Sequence, residues 1–181
     1  MTSNYNYPRD VFFDVETLIN VAQPSSILFI GDHPSDFLTP YIEQKKLLNQ
    51  QCTIKCIASD NLDALAKVER HDVAIALNVF EQIDKKAGFQ LLSRIRDLLA
   101  HQYCIALPID TQKNSKTQNS WQLNDLFSLA LERVATYEID EENNHQHIGL
   151  FKYNIEDYKK TPDWLNSNNW ANPEMWEKYR W

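Results

Sequence analysis

Two stretches of uninterrupted apolar side chains, Ile27-Leu28-Phe29-Ile30 and Val73-Ala74-Ile75-Ala76-Leu77, constrain this chain more than any other feature. A strand with water on one face alternates apolar and polar residues. A run without alternation reads as a strand covered on both faces, as at the centre of a parallel sheet. Parallel neighbours need long crossovers, usually helical, and the intervening sequence has that character. Val11, Phe12, Val15, Leu18, Ile19 and Ala22 recur at helical spacing, predicting a helix over residues 9–22 that Pro24 stops. Thr39 and Pro40 are suited to cap and open a second helix, ending near Leu48.

The rest of the chain continues the alternation. A strand is predicted over residues 53–58, a short helix over 61–68, and a long helix whose buried face carries Gly88, Leu91, Leu92, Ile95, Leu98 and Leu99. A fourth strand is predicted over 103–107, a polar loop over 110–120, and a helix from Trp121 to about Glu132. Two last strands, over 134–139 and 147–153, flank the polar, acidic stretch 140–146 and should pair antiparallel. The fold expected is α/β: a mostly parallel sheet covered by helices on both faces and finished by an antiparallel hairpin. Residues 1–156 form the domain, with the N-terminal helix in 1–24. Residues 157–181 form an aromatic tail, with Trp164, Trp170, Trp176 and Trp181, expected to pack on the domain or on a partner.

A net charge of −7 opposes binding to a phosphate backbone, so no nucleic-acid partner is expected. No apolar run approaches the roughly 18–20 residues of a membrane span. The first residues lack a basic segment followed by an apolar one, so no membrane association and a cytoplasmic location are expected. Cys52, Cys56 and Cys104 lie in or beside strands and read as core thiols. Cys52-x3-Cys56 has no partner at zinc-ligand spacing, and His145 and His147 lack a third ligand, so no metal is expected.

The first apolar run ends in Gly31-Asp32-His33-Pro34-Ser35-Asp36. In open α/β sheets ligands bind beyond the carboxyl ends of the strands, which makes this turn and the one at Asn78 the candidate site. Gly31 is either a cofactor turn or a tight exit from a strand. Asp32 and Asp36 flank His33, an arrangement suited to proton transfer or simply to capping. Asn78 and Glu81, past the end of the third predicted strand, read on their own as the polar start of a helix. No order of serine, histidine and aspartate, phosphate loop or His-Glu-x-x-His motif is present, and no catalytic residue is assigned.

The segment His71-Asp72-Val73-Ala74-Ile75-Ala76-Leu77-Asn78-Val79-Phe80-Glu81-Gln82-Ile83-Asp84, an aspartate-led apolar strand followed by a polar turn, resembles the corresponding strand of class I S-adenosylmethionine-dependent methyltransferases. The long helix after it and the closing hairpin resemble that family too, over about residues 10–155. The resemblance implies a Rossmann-like methyltransferase sandwich; it places cofactor contacts on Gly31, Asp32, His33, Asp60 and Asn78, and substrate-facing groups at Asn78 and Glu81. The resemblance is to a bacterial-type family, and three departures mark this chain as a degenerate member of it. The family's Gly-x-Gly-x-Gly falls on Gly31, His33 and Ser35, keeping only the first glycine. The carboxylate that holds the ribose falls on Ala58, with Asp60 two residues on, where strand alternation would aim it to the same face. About a dozen residues separate Asp60 from Asp72, too few for the family's additional strand–helix unit, so about six strands are expected.

Three functions stay open at this stage. The first is a non-catalytic, methyltransferase-like protein binding a small molecule or a protein partner. The second is an active methyltransferase using S-adenosylmethionine in an atypical loop. The third is an assembly role through the tail, with a homodimer as one form of it.

Overall fold

The computed structural model describes residues 7–31, 35–110, 120–141 and 144–158. Both apolar runs become central strands, β1 (Ser26–Ile30) and β3 (His71–Ala76), lying side by side. With β2 (Thr53–Ile57), β4 (Ala100–Ile109), β5 (Glu132–Glu141) and β6 (Asn144–Asn154) they form a six-stranded sheet in the order β2-β1-β3-β4-β6-β5. The first four strands are mutually parallel, and β6 runs antiparallel to both β4 and β5. This is a Rossmann-like open sheet, mostly parallel and closed by an antiparallel hairpin, with six strands among the described residues, the number that the spacing between Asp60 and Asp72 implies.

Strand alternation sorts the side chains into two cores. Ile27, Phe29, Val73, Ile75, Leu77, Cys104 and Ala106 face α1 (Arg9–Ala22) and α2 (Ser35–Leu47). Leu28, Ile30, Ala74, Ala76, Ile105 and Leu107 face the 3-10 helix Ser59–Lys67, α3 (Lys85–Arg94) and α4 (Leu123–Ser128). Helix α1 buries Val11, Val15 and Ile19, spaced four residues apart so that one stripe meets the sheet. Burying an aliphatic side chain of this kind contributes roughly 1.5–3 kcal/mol. At the opposite end of β1, Asp72 Oδ2 accepts hydrogen bonds from Ser25 N (2.8 Å), Ser25 Oγ (2.7 Å) and Ser26 N (3.0 Å). Burial opposes ionisation of Asp72, yet these bonds together hold its carboxyl below the usual range.

Several local expectations are corrected. Helix α2 starts at Ser35, so Pro40 lies inside it. Leu38 and Tyr41, three residues apart, are both buried against the sheet, and that anchoring carries the helix through the proline. Leu98 is 62% exposed, because α3 passes into a π turn, Ile95–Leu99, which rotates it off the apolar face while Leu99 stays buried. The helix expected from Trp121 is shorter, Leu123–Ser128, and ends before Ala130 at φ 62°. Trp121 pairs its backbone with Ile109 instead and buries its indole edge-on against Phe80 and beside Phe89. That indole lies over Gly88, where an added Cβ would sit 2.5 Å from Trp121 Cζ2. Lys85 ties this corner together, pairing with Asp125 at 2.6 Å.

Only Cys104 of the three thiols is fully buried; Cys56 is exposed, because β2 is an edge strand. Among the described residues no cluster of histidine, cysteine and carboxylate side chains suits a metal ion, and no helix is long and apolar enough to cross a membrane. The described chain ends in α5 (Ile155–Tyr158), so the Trp-bearing part of the expected tail, residues 159–181, lies outside the described residues.

Candidate functional site

From β1 the chain crosses to β2 on one side, and then returns to β3 on the other. Such a reversal opens a crevice beyond the carboxyl ends of the two central strands. Gly31 forms one lip. Its amide donates to Ile57 O at 2.9 Å, while Leu77 N donates to Ile30 O at 3.1 Å, so the ladder continues past the strand ends. Gly31 has φ 138°, and a Cβ there would stand 2.0 Å from Leu77 O. The sheet itself therefore requires glycine at this position, which supports the reading of Gly31 as a tight strand exit. Asp32 and His33, expected beside it, lie outside the described residues.

The turn after β3 forms the other lip. Asn78 adopts φ 57°, a left-handed conformation that asparagine tolerates better than most residues. Val79 and Phe80 then turn inward and are buried. Glu81 meets Tyr7, which lies just ahead of α1 and is 4% exposed. The Tyr7 hydroxyl makes a short hydrogen bond with the Glu81 carboxyl and lies 2.9 Å from Ala106 O as a second acceptor. Asn78 N donates to the same hydroxyl oxygen at 3.4 Å. One hydroxyl hydrogen thus has two acceptors. It goes to Glu81 when the carboxylate is ionised, and to Ala106 O when a protonated Glu81 donates to tyrosine.

Burial pushes the Glu81 carboxyl up to about 7, against the downward pull of the Tyr7 hydrogen bond. Strongly displaced carboxyls of this kind concentrate at functional crevices, although structural networks also produce them. Glu81 Oε2 and Asn78 Oδ1 are both sealed from solvent and have no hydrogen-bond partner among the described residues. Helix capping does not account for either residue. Asp84 is the N-cap of α3, its side chain accepting from Ala87 N at 2.8 Å.

Gln82 closes part of the crevice. Its Nε2 donates to Asn78 O at 2.8 Å, and its Oε1 accepts from Ser59 Oγ at 2.9 Å. This bond joins the segments after β2 and β3 across the end of β1. Asp60 stands beside it but is exposed. The alternation expected to aim Asp60 stops at Ile57, where β2 ends, and Asp60 sits in the first turn of a 3-10 helix kinked at Asn61.

Of the sequence candidates, the structure brings Gly31 and Asn78 to the crevice and leaves Asp60 facing solvent. Tyr7 was not foreseen. Its partner Glu81 is 74 positions away, and nothing local marks the pairing except an aromatic residue just before a helix. Ser59 was not foreseen either, since the strand alternation drawn through residue 58 obscured it. A separate cavity of about 290 Å³ lies at the opposite end of the parallel strands, by the starts of β3 and β4 and the end of β6, lined by Leu18, Val21, Gln102, Tyr103 and Asp157 among others.

Residues 9–181 match the family described as a family of unknown function, DUF6231. No curated protein sequence matches the chain. Among solved structures, it is similar to the methyltransferase domain of bacterial CtHen1-CN, at 12% identity and TM-score 0.48, covering 78% of this chain and 97% of that one. Magnesium protoporphyrin IX methyltransferase from Synechocystis PCC 6803, with bound SAH, is 9% identical at TM-score 0.46, covering 79% and 82%. The 1,6-didemethyltoxoflavin-N1-methyltransferase of Burkholderia thailandensis, with bound 1,6-didemethyltoxoflavin and S-adenosylhomocysteine, is 12% identical at TM-score 0.48, covering 80% and 78%. Likenesses this distant add nothing about chemistry, and the strand order is what carries the fold. The match to the family spans nearly all of the sequence, and the chain belongs to the DUF6231 family.

Proposed function

We propose that this chain is a methyltransferase-like protein that binds a small molecule in the crevice between β1 and β3 and does not transfer methyl groups. The observation that carries the reading is the pair of sealed acceptors at the topological switch point, Glu81 Oε2 and Asn78 Oδ1, unpartnered among the described residues. Buried polar atoms are costly without partners, about 1–3 kcal/mol each, and a ligand that supplies donors removes that cost. S-adenosylmethionine fits the described residues poorly. At the end of β2, Ala58 stands where the ribose carboxylate would, Asp60 faces solvent, and Ser59 is bonded to Gln82.

The test is a thermal-shift and calorimetric screen of the full chain against small metabolites, with S-adenosylmethionine and S-adenosylhomocysteine included. A compound at 100 times its Kd stabilises the folded state by about 2.7 kcal/mol. For a chain of this size that raises Tm by roughly 5–10 °C. Expected are hits among non-adenosyl compounds whose effect is lost in Asn78→Leu. Saturable binding of S-adenosylmethionine together with methyl turnover would establish the active-methyltransferase reading instead. A screen without any hit that depends on Asn78 removes the small-molecule reading.

A further inference from the structure

We infer that the crevice takes its ligand by a protonated amine, or another cation rich in N–H groups, held between Glu81 Oε2 and Asn78 Oδ1; this deepens the small-molecule reading and rests on it. Both atoms belong to one turn, three residues apart, and both residues are drawn to the Tyr7 hydroxyl, one through its side chain and one through its backbone. Each atom is an acceptor that is cut off from solvent and meets no donor among the described residues. Among the described residues no neighbouring side chain supplies one, although the backbone amide of Glu81 itself helps draw its carboxyl down. The single hydrogen of Tyr7 is used on the other Glu81 oxygen or on Ala106 O. The Gln82 amide nitrogen donates to Asn78 O, not to the side chain.

The chemistry of the pair selects the ligand. Two acceptors, one of them on a carboxyl group, repel an anion. An alcohol brings one hydrogen and leaves the second acceptor bare. An ammonium group brings three, enough for both atoms, and its charge offsets that of the ionised carboxylate. Bonds of this charge-assisted kind are roughly twice as strong as neutral ones, so the carboxylate is the larger contributor. The methionine-binding backbone of a methyltransferase plays no part in this arrangement: the contacts are side-chain contacts of Glu81 and Asn78.

The smallest probe isolates this contact. Methylammonium chloride is titrated into the full-length, isotope-labelled chain at pH 7.5 and followed by the amide signals of residues 78–81 and the Glu81 carboxyl carbon. Tetramethylammonium chloride, which has charge but no N–H group, and sodium chloride serve as controls. The expected result is a saturable shift with methylammonium alone, with Kd at least tenfold weaker in Glu81→Gln and weakened in Asn78→Ala. Circular-dichroism melts confirm that both variants fold. Equal responses to the three salts, or a methylammonium response that Glu81→Gln leaves unchanged, overturn the inference. No methylammonium response overturns it as well. In either case the small-molecule reading is judged separately, by whether screened compounds without an amine bind in a manner that depends on Asn78.

Discussion

Replacing Glu81 by glutamine should leave stability unchanged in mild acid and raise it above neutral pH. The carboxyl sits at about 7 in the folded chain against an ordinary value of 4.5, with burial as the main cause. Below pH 4.5 both folded and unfolded chains carry the proton, and the group contributes nothing. Between pH 4.5 and 7 the unfolded chain releases its proton while the folded chain keeps it, so stability falls as pH rises. Above pH 7 both are ionised and the loss is constant. A gap of about 2.5 pH units corresponds to about 3–4 kcal/mol at about 1.4 kcal/mol per unit. Partial exposure of the residue and relaxation around it bring the expected loss to roughly 2 kcal/mol. Glutamine keeps the oxygen that meets the Tyr7 hydroxyl and never ionises. Urea unfolding at pH 4, 5.5, 7 and 8.5 should therefore show the two proteins level at the acid end. At the alkaline end the variant should lead by roughly 2 kcal/mol, or about 4–8 °C in Tm. A difference that does not vary with pH, or a variant less stable at pH 8.5, refutes the argument.

The remaining predictions concern the groups that hold the crevice and the sheet. Tyr7→Phe should cost about 1–2 kcal/mol in urea unfolding, since Glu81, Ala106 O and Asn78 N all lose the hydroxyl. The same change should raise the Glu81 carboxyl further, read from its carbon signal during a pH titration, because the bond that pulls it down is gone. Asp72→Asn should cost about 1 kcal/mol above pH 5, through weaker bonds to Ser25 and Ser26. That difference should vanish in strong acid, as the wild-type carboxyl, held below 3.8 in the fold, takes up its proton. Gly31→Ala should destabilise by more than about 2 kcal/mol, since φ 138° suits no side chain and the new Cβ meets a carbonyl oxygen, not a flexible group. A lowered urea midpoint or loss of soluble protein is the measure, and a neutral result would mean that the β1–β3 ladder can open at this point.

The central strands were legible because their side chains report burial directly: neither Ile27–Ile30 nor Val73–Leu77 has a polar residue, and both faces of each are covered. Boundaries set by tertiary packing were not legible. Leu98 fits the helical stripe, and only the π turn, a backbone event without a residue signature, takes it out. Trp121 looks like the start of a helix until Phe80, Phe89 and Gly88, more than 30 positions earlier, create a slot for its indole. The site divides in the same manner. Asn78 was readable from its place after an apolar strand, and Glu81 was in view beside it. Tyr7 was not, because a bond across 74 residues leaves no local pattern. Gly31 was readable as special, but its two explanations separate only once Leu77 O is seen over it.

One connection accounts for two departures from the pattern that the methyltransferase resemblance implies: a sheet of six strands among the described residues, and no carboxylate held over the crevice at the end of β2. Between Ile57 and His71 the chain has room only for a 3-10 helix, Ser59–Lys67, and it must begin turning at once. The residues after β2, where a longer strand end would hold a side chain over the crevice, are taken up by that turn. Ser59 is left inside, bonded to Gln82, and Asp60 outside. The same shortening makes β2 an edge strand, whose Lys55 and Cys56 are exposed. A lysine on an open edge is a known way to discourage pairing with another chain. Restoring a carboxylate by Ala58→Asp would therefore not restore a ribose site, since Ala58 is exposed, is the N-cap of the 3-10 helix at φ −69° and ψ 153°, and belongs to the turn. Calorimetry of that variant with S-adenosylhomocysteine should match the wild type, and a gain of tenfold or more in affinity would show that the connection, and with it this account of the crevice, is not the obstacle.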